Sequence, residues 1–348
     1  MGLSGGGKCI CVSCPLSIDE FLHLLDHYHK KNIAVISSNR RKTIDIDANE
    51  VGYRYINAAI GPVDGVYVMS SALSKYGIDV NIIADPMSFR YHTKRETILR
   101  HAKKERARLK RINLQSQLNQ ALQETTSTNT VKIQDIEKEL EKNKNICHRE
   151  LPPDFNHLLQ DLVKSEVKET NKYGNISFIA DEKAQADVVI ASRFERNLTD
   201  IIVSSDTDFA AYIGKRCMCV KDFKFDFHNN SIDKFILYTP SMSATQEWTK
   251  ILKKEKNDNM VVKLSQYKIF EKEEDPLVRA VCAVAMGCDM WPGGIASCGP
   301  SNVEKYLTEI NVQDEGRAIT FIERLLKAHK KCQIKDKNLI LCYAKAFV

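Results

Sequence analysis

The sequence lacks any long hydrophobic run. No apolar stretch approaches the ~18–20 residues needed to span a bilayer, and the longest, Ala280 to Met286, reads as a buried helix. The opening MGLSGGGKCICVSC has no extended apolar core, so it is not a secretory signal peptide. Gly6 stands where an N-myristoylation signal needs Ser or Thr. An intracellular soluble protein with no membrane partner is therefore expected. There is no internal repeat. The eleven cysteines are odd in number and scattered through the chain, unlike a secreted disulfide scaffold. Cys9, Cys11 and Cys14 do cluster, but a tetrahedral zinc site needs a fourth ligand. They read as reduced structural thiols.

What is present is ordinary in amount and uneven in placement. The 348 residues suffice for one large domain or two modest ones. The composition, 43% apolar and 28% charged, is that of a globular protein. Between Lys94 and Arg111 there are nine Lys or Arg and two Glu, an excess larger than the chain's whole net charge of +6. So concentrated a positive segment suggests a polyanion-binding element; a solvated helix face is the plainer alternative.

Short apolar runs at 32–37, 43–48, 79–85, 176–180, 200–206 and 217–220 read as strands, and 49–60 and 182–195 as helices between them. Asp45 and Asp47 alternate with Ile44 and Ile46 at the strand period of two. Residues 94–124 and 131–145 have helical spacing around the polar break TTSTNT. They form a helical hairpin or arch that ends by Pro152 and Pro153, with a further helix from 154 to about 170. Strands alternating with helices imply a mainly parallel sheet covered on both faces. The expected layout is an N-terminal extension (1–39) and an α/β core (40–275). The core carries the arch at about 92–172 and a lysine-rich insertion at about 222–275. An all-helical element (276–348) closes the chain.

The chemistry-bearing residues are aspartates. Asp47, Asp85 and the pair Asp206 and Asp208 each end an apolar strand, and Asp289 follows the apolar helix AVCAVAMGC. Ligands bind outside the carboxyl ends of strands in an open parallel sheet. Clustered carboxylates repel one another, which a hard divalent cation such as Mg²⁺ relieves. Two such ions about 4 Å apart can activate a water and stabilise a leaving oxygen in phosphodiester hydrolysis. Any single one of these aspartates also fits a turn or a helix N-cap; the set of four converging elements favours a metal site.

The stretch QADVVIASRFERNLTDIIVSSDTDF resembles the internal region of the flap endonuclease/XPG nucleases, where a helix bearing E-A-[DE] precedes a strand ending in [DE]-x-D. Gln185 and Asp187 occupy the first pair and Asp206 and Asp208 the second, each 21 residues on. AMGCDMWPGGIASCGPSNVEKYL is similar to that family's G-[CS]-D segment leading into a helix–two-turn–helix element. IDIDANEVGYRYI, IIADP with the basic KRETILRHAKKERAR, and the start MGLSG match further blocks in order.

The resemblance covers roughly residues 40–310 and implies a PIN-like fold. It implies Asp47, Asp85, Gln185, Asp187, Asp206, Asp208 and Asp289 as ligands of two Mg²⁺ ions, with Mn²⁺ as a substitute. Lys94 and Arg100 would stabilise the scissile phosphate. Lys103, Lys104, Arg106 and Arg108 would contact DNA, and the turn Gly294–Pro300, with Gly294 and Gly299, would offer backbone N–H groups to a duplex.

The implied function is a structure-selective DNA nuclease, a 5′ flap or branched-DNA endonuclease or 5′ exonuclease in repair or replication, nuclear if the source is eukaryotic. Gln185 stands where the family has Glu, and the site loses a negative charge. That departure motivates a second reading, a catalytically impaired DNA-structure-binding relative. An RNA-directed 5′ exonuclease is a third, against which the chain shows no clear aromatic platform for RNA bases.

Overall fold

The computed structural model describes residues 41–86 except 57, 95–123, 129–147, 151–165, 173–214 except 207, and 219–238 except 230. It also describes 268–345 with breaks at 289–290, 292–293, 296–297, 311–315 and 330–335, and short pieces at 10–12, 16–17, 19, 21–22 and 261–262. The strand expected at 32–37 lies outside the described residues.

Five strands run parallel in the order β5 (Ile176–Ala180), β4 (Asp79–Ala84), β3 (Thr43–Asp47), β6 (Ile201–Val203), β7 (Cys219–Asp226). β4, β5 and β6 are largely apolar runs, as a sheet covered on both faces requires, whereas β3 alternates Ile with Asp and β7 carries Lys and Asp. The chain leaves β3 for β4 and β5 on one side, then crosses to β6 on the other. The point where strand order reverses therefore lies between β3 and β6, and a ligand crevice is expected at the strand ends there.

Beyond β7 the sheet turns antiparallel. β8 (Ser231–Tyr238) pairs with β7, β1 (Ile10–Val12) and β2 (Leu16–Ser17) pair with β8, and β9 (Val261–Val262) pairs with β1. Parts of both the N-terminal extension and the 222–275 segment are thus strands of the same sheet. Phe223 and Phe225 on β7 are both buried in the same core layer, on either side of an irregularity in the pairing at Lys224.

Strand alternation sorts the core into two layers. Ile44, Ile46, Val80, Ile82, Ile201 and Val203 pack against α1 (Ala48–Tyr55), α2 (Pro62–Ser74) and α5 (Phe155–Ser165). Ile83 and Ile202 belong to the opposite layer, with α6 (Ala186–Glu195), α7 (Phe209–Ile213) and the C-terminal helices α9 (Pro276–Met286), α10 (Pro300–Thr308), α11 (Arg317–Ala328) and α12 (Lys337–Lys345). The short α8 (Lys268–Lys272) leads into that layer through Ile269 and Phe270. Asp45 and Asp47, offset from Ile44 and Ile46, face the α6 side.

The expected arch is present as α3 (Arg95–Gln123) and α4 (Asn129–Cys147). Ala107, Ala121 and Ile136 are buried, and Lys110 Nζ meets Glu139 Oε1 at 2.8 Å across the pair. That ion pair is exposed and holds Glu139 below its usual carboxylate range mainly through the Lys110 hydrogen bond.

Charged side chains tie the C-terminal helices to α7 and to the segment that follows α8. Buried Arg279 donates to the carbonyls of Ala211, Tyr212, Glu273 and Glu274. Arg317 NH1 and Glu273 Oε1 form a buried ion pair at 2.7 Å. Among the described residues no helix is long and apolar enough to cross a membrane.

Candidate metal centre

Asp47 is the last residue of β3 and the N-cap of α1. Its Oδ1 accepts the Glu50 N–H at 3.1 Å and its Oδ2 accepts the Ser204 hydroxyl at 3.0 Å. Ser204 directly follows β6, and its Oγ in turn accepts the Asp206 N–H at 3.1 Å. This chain of bonds ties the ends of β3 and β6 together at the switch point. Asp206 Oδ1 accepts the Asp208 N–H at 2.8 Å, closing the DxD turn, and buried Asp208 stands at the N-cap position of α7.

Asp85 follows β4. Its Oδ2 accepts from Asn49 Nδ2 at 2.8 Å and its Oδ1 from the Ala186 N–H at 3.1 Å. The second bond sets the N-terminus of α6 beside β4. Gln185 is the N-cap of that helix and Asp187 lies in its first turn, where the helix dipole favours an acid. Both are buried, at 4% exposure each.

Two features show that this corner carries excess acceptors. Burial first, and then the carboxylates of Asp187, Glu50 and Asp85, push the Asp47 carboxyl well above the usual range, against the pull of the Glu50 N–H. Gln185 Oε1 is buried and meets no hydrogen-bond donor among the described residues. An unmet buried carbonyl costs about 1–3 kcal/mol. Among the described residues no three His, Cys, Asp or Glu side chains already form one chelating group. The carboxylates are held by their own donors, and each oxygen keeps a second lone pair. The donor set is all oxygen, which fits a hard cation and not a thiolate- or imidazole-preferring one.

Asp289 and Lys94 lie outside the described residues, and of Arg100 only the helical backbone in α3 is described. On α3, Lys103, Arg106 and Arg108 are exposed and Lys104 is half-buried. Arg106 Nε returns to Ala102 O at 3.1 Å, and Arg108 pairs with Glu105 at 3.5 Å. Such exposed contacts are worth little and yield readily to a phosphate.

Gly294 differs from its expected role. It is buried, its φ is +53°, and its N–H donates to Trp291 O at 3.1 Å, so its amide serves the turn and is not presented outward. An added Cβ would lie 2.8 Å from Ala285 O. Gly299 is exposed at the N-cap of α10, with no side chain capping that helix.

Asn49, Glu50 and Ser204 are not singled out by the sequence. Of the three, Ser204 alone carries a local signal, its place beside the DxD pair.

No family model matches the sequence and no curated protein matches it. Solved structures that resemble the fold include the catalytic core of Rad2 in complex with DNA substrate (16% identity, TM-score 0.39, covering 89% of this chain and 78% of that one). Another is the eukaryotic junction-resolving enzyme GEN-1 binding with cesium (14%, 0.39, 96% and 58%). A third is the T5 D15 protein co-crystallised with metal ions (10%, 0.31, 88% and 98%). At these values the likeness is a loose one of fold. The architecture itself, a mainly parallel sheet with helices packed on both faces, is the α/β arrangement expected from the sequence. The chemistry rests on the side chains described above.

Proposed function

We propose that this chain is a structure-selective, divalent-metal-dependent nuclease acting on DNA that is branched or carries a free 5′ end. One observation carries the reading. Asp47 and Asp85, at the carboxyl ends of parallel strands beside the switch point, face the N-terminus of α6 with Gln185 and Asp187; Asp47 is repelled by Asp187 and Asp85, and Gln185 Oε1 meets no donor among the described residues. Such a site is costly unless a cation resides in it.

Asp47, Asp85, Gln185, Asp187, Asp206 and Asp208 would hold two Mg²⁺ ions, or Mn²⁺ in their place, and the resemblance adds Asp289. When bound, such a pair would lower the pKa of a water so that hydroxide is available to attack a phosphodiester at neutral pH, and would supply charge to stabilise the departing oxygen. The chain's own groups orient the acids. Glu50 N–H and Ser204 hydroxyl fix Asp47, and Asn49 and the Ala186 N–H fix Asp85. Lys94 and Arg100 would balance charge developing on the scissile phosphate. Lys103, Lys104, Arg106 and Arg108 would neutralise backbone phosphates, and the open N-terminus of α10 at Gly299 would take another. The test is cleavage of flap, bubble and nicked duplexes by the purified protein with Mg²⁺ or Mn²⁺. Cleavage is expected, and its absence on every substrate refutes the reading.

Gln185 favours a second reading, a DNA-structure-binding relative with a weakened site, because an amide oxygen brings no negative charge. Gln185→Glu separates the two. A large gain in cleavage supports impairment, and an unchanged, already active enzyme rejects it.

A further inference from the structure

Asp45 lies two residues before Asp47 on the same face of β3, yet it belongs to no acid cluster. It is fully buried and surrounded by donors. Arg193 Nε lies 2.8 Å from Asp45 Oδ2 and Arg193 NH2 3.4 Å from Oδ1, and Asn81 Nδ2, directly across the β3–β4 ladder, lies 2.8 Å from Oδ1. Arg193 is in the last turn of α6 and is 22% exposed. The same helix begins with Gln185 and Asp187, and its first N–H, that of Ala186, reaches Asp85 Oδ1.

The helix is therefore joined to β3 at its C-terminal end and to the residue that follows β4 at its N-terminal end. Asp45 and Asp47 stand roughly 7 Å apart along β3, and Asp187 and Arg193 roughly 9 Å apart along α6. The Asp45–Arg193 fork sits at one end of this overlap and the acid set at the other. The rest of α6 packs through Ala186, Ile190, Ala191 and Phe194, apolar contacts that carry no directional bond. The Asp45–Arg193 fork supplies two.

We infer that the Asp45–Arg193 pair is a positioning device, which fixes the height and rotation of α6 over β3 and so sets where Gln185 and Asp187 stand relative to Asp47 and Asp85. The inference rests on the metal-site reading for its consequence but not for its geometry. Outer groups that orient metal ligands typically change affinity by about 10–100-fold when removed.

The experiment compares the full-length wild type with Asp45→Asn, Arg193→Gln and the double variant, whose paired amides can keep a neutral hydrogen bond. Leu73→Ala is the control, a buried truncation on the opposite face of the sheet. Two readouts are taken: hydrogen exchange at the Ala186 amide without metal, and the Mn²⁺ dissociation constant. Both single variants should lose protection at Ala186 while Val80, bonded to Asn175 O in the ladder, keeps it. Their Mn²⁺ affinity should fall by about tenfold, and the double variant should recover part of both. Leu73→Ala should lower thermal stability and change neither readout.

Wild-type protection and affinity in the single variants, or equal losses in Leu73→Ala, overturn the inference. If the wild type binds no Mn²⁺ but Asp45→Asn still frees Ala186, the metal reading fails and the positioning role stands.

Discussion

Replacing Asp47 by Asn should make the metal-free protein more stable and the metal-loaded protein less so. The Asp47 carboxyl is pushed well above its ordinary range by burial and by Asp187, Glu50 and Asp85. Its folded-state pKa therefore exceeds its unfolded one. Folding binds a proton between those two values, so stability is fullest below the unfolded pKa and falls as pH rises through the folded one. At neutral pH the ionised group is a penalty, worth about 1.4 kcal/mol for each unit of displacement. Asn removes that penalty and caps a helix as well as Asp does, so the Glu50 N–H keeps its acceptor. Against this, altering the bond from the Ser204 hydroxyl costs about 1 kcal/mol.

The variant gains stability once the carboxylate penalty outweighs that bond, which the strong upward displacement of Asp47 predicts. Each kcal/mol of gain corresponds to a rise in Tm of roughly 1–2 °C for a chain of this size. Scanning calorimetry in EDTA from pH 5 to 8 measures it, and the difference between Asn and wild type should widen as pH rises. Mg²⁺ at a hundred times its dissociation constant should add about 2.7 kcal/mol to the wild type and much less to the variant. A variant less stable than wild type across that pH range, and still fully responsive to Mg²⁺, would refute the charge-excess argument.

Three further outcomes are expected. Neutralising Lys103, Lys104, Arg106 and Arg108 together should weaken DNA binding and flatten the plot of log affinity against log salt. The slope should change by about 0.7–0.9 for each phosphate no longer neutralised, as read by fluorescence anisotropy at several salt concentrations. Arg317→Met strands the buried Glu273 carboxylate, so denaturant unfolding should show destabilisation by about 3–5 kcal/mol. Gln185→Glu should tighten Mn²⁺ binding in calorimetric titration, because it places a charge at a buried oxygen that meets no donor among the described residues.

The legible parts of the fold are those whose signal is local. β3, β4, β5 and β6 announce themselves as apolar runs closed by polar residues, and the α3–α4 hairpin by its charge and helical spacing. The helix α2 escapes such a reading. It opens on Gly61-Pro62 and carries Gly65, Ser70 and Ser71, which resemble turn chemistry. In place, Ser70 bonds back to Val66 O and the helix is held by burial of Val66, Met69 and Leu73. The β7–β8 hairpin is obscured by lysines, although Phe223 and Phe225 keep the strand period.

At the site, strand-end aspartates can be read directly because their position relative to an apolar run is itself the signal. The partners of those aspartates cannot. Asn49 is 36 residues from Asp85, Ser204 is 157 from Asp47, and Arg193 is 148 from Asp45. Nothing in the local sequence of Asp45 distinguishes a buried ion pair from one more acidic ligand.

The most direct measurement is single-turnover cleavage of an end-labelled DNA 5′ flap by the full-length protein, run with Mg²⁺, with EDTA, and with Asp206→Ala. A product that forms with Mg²⁺ and disappears in both other arms is the predicted result. Cleavage that survives EDTA or Asp206→Ala, or none with Mg²⁺ even in Gln185→Glu, contradicts the account.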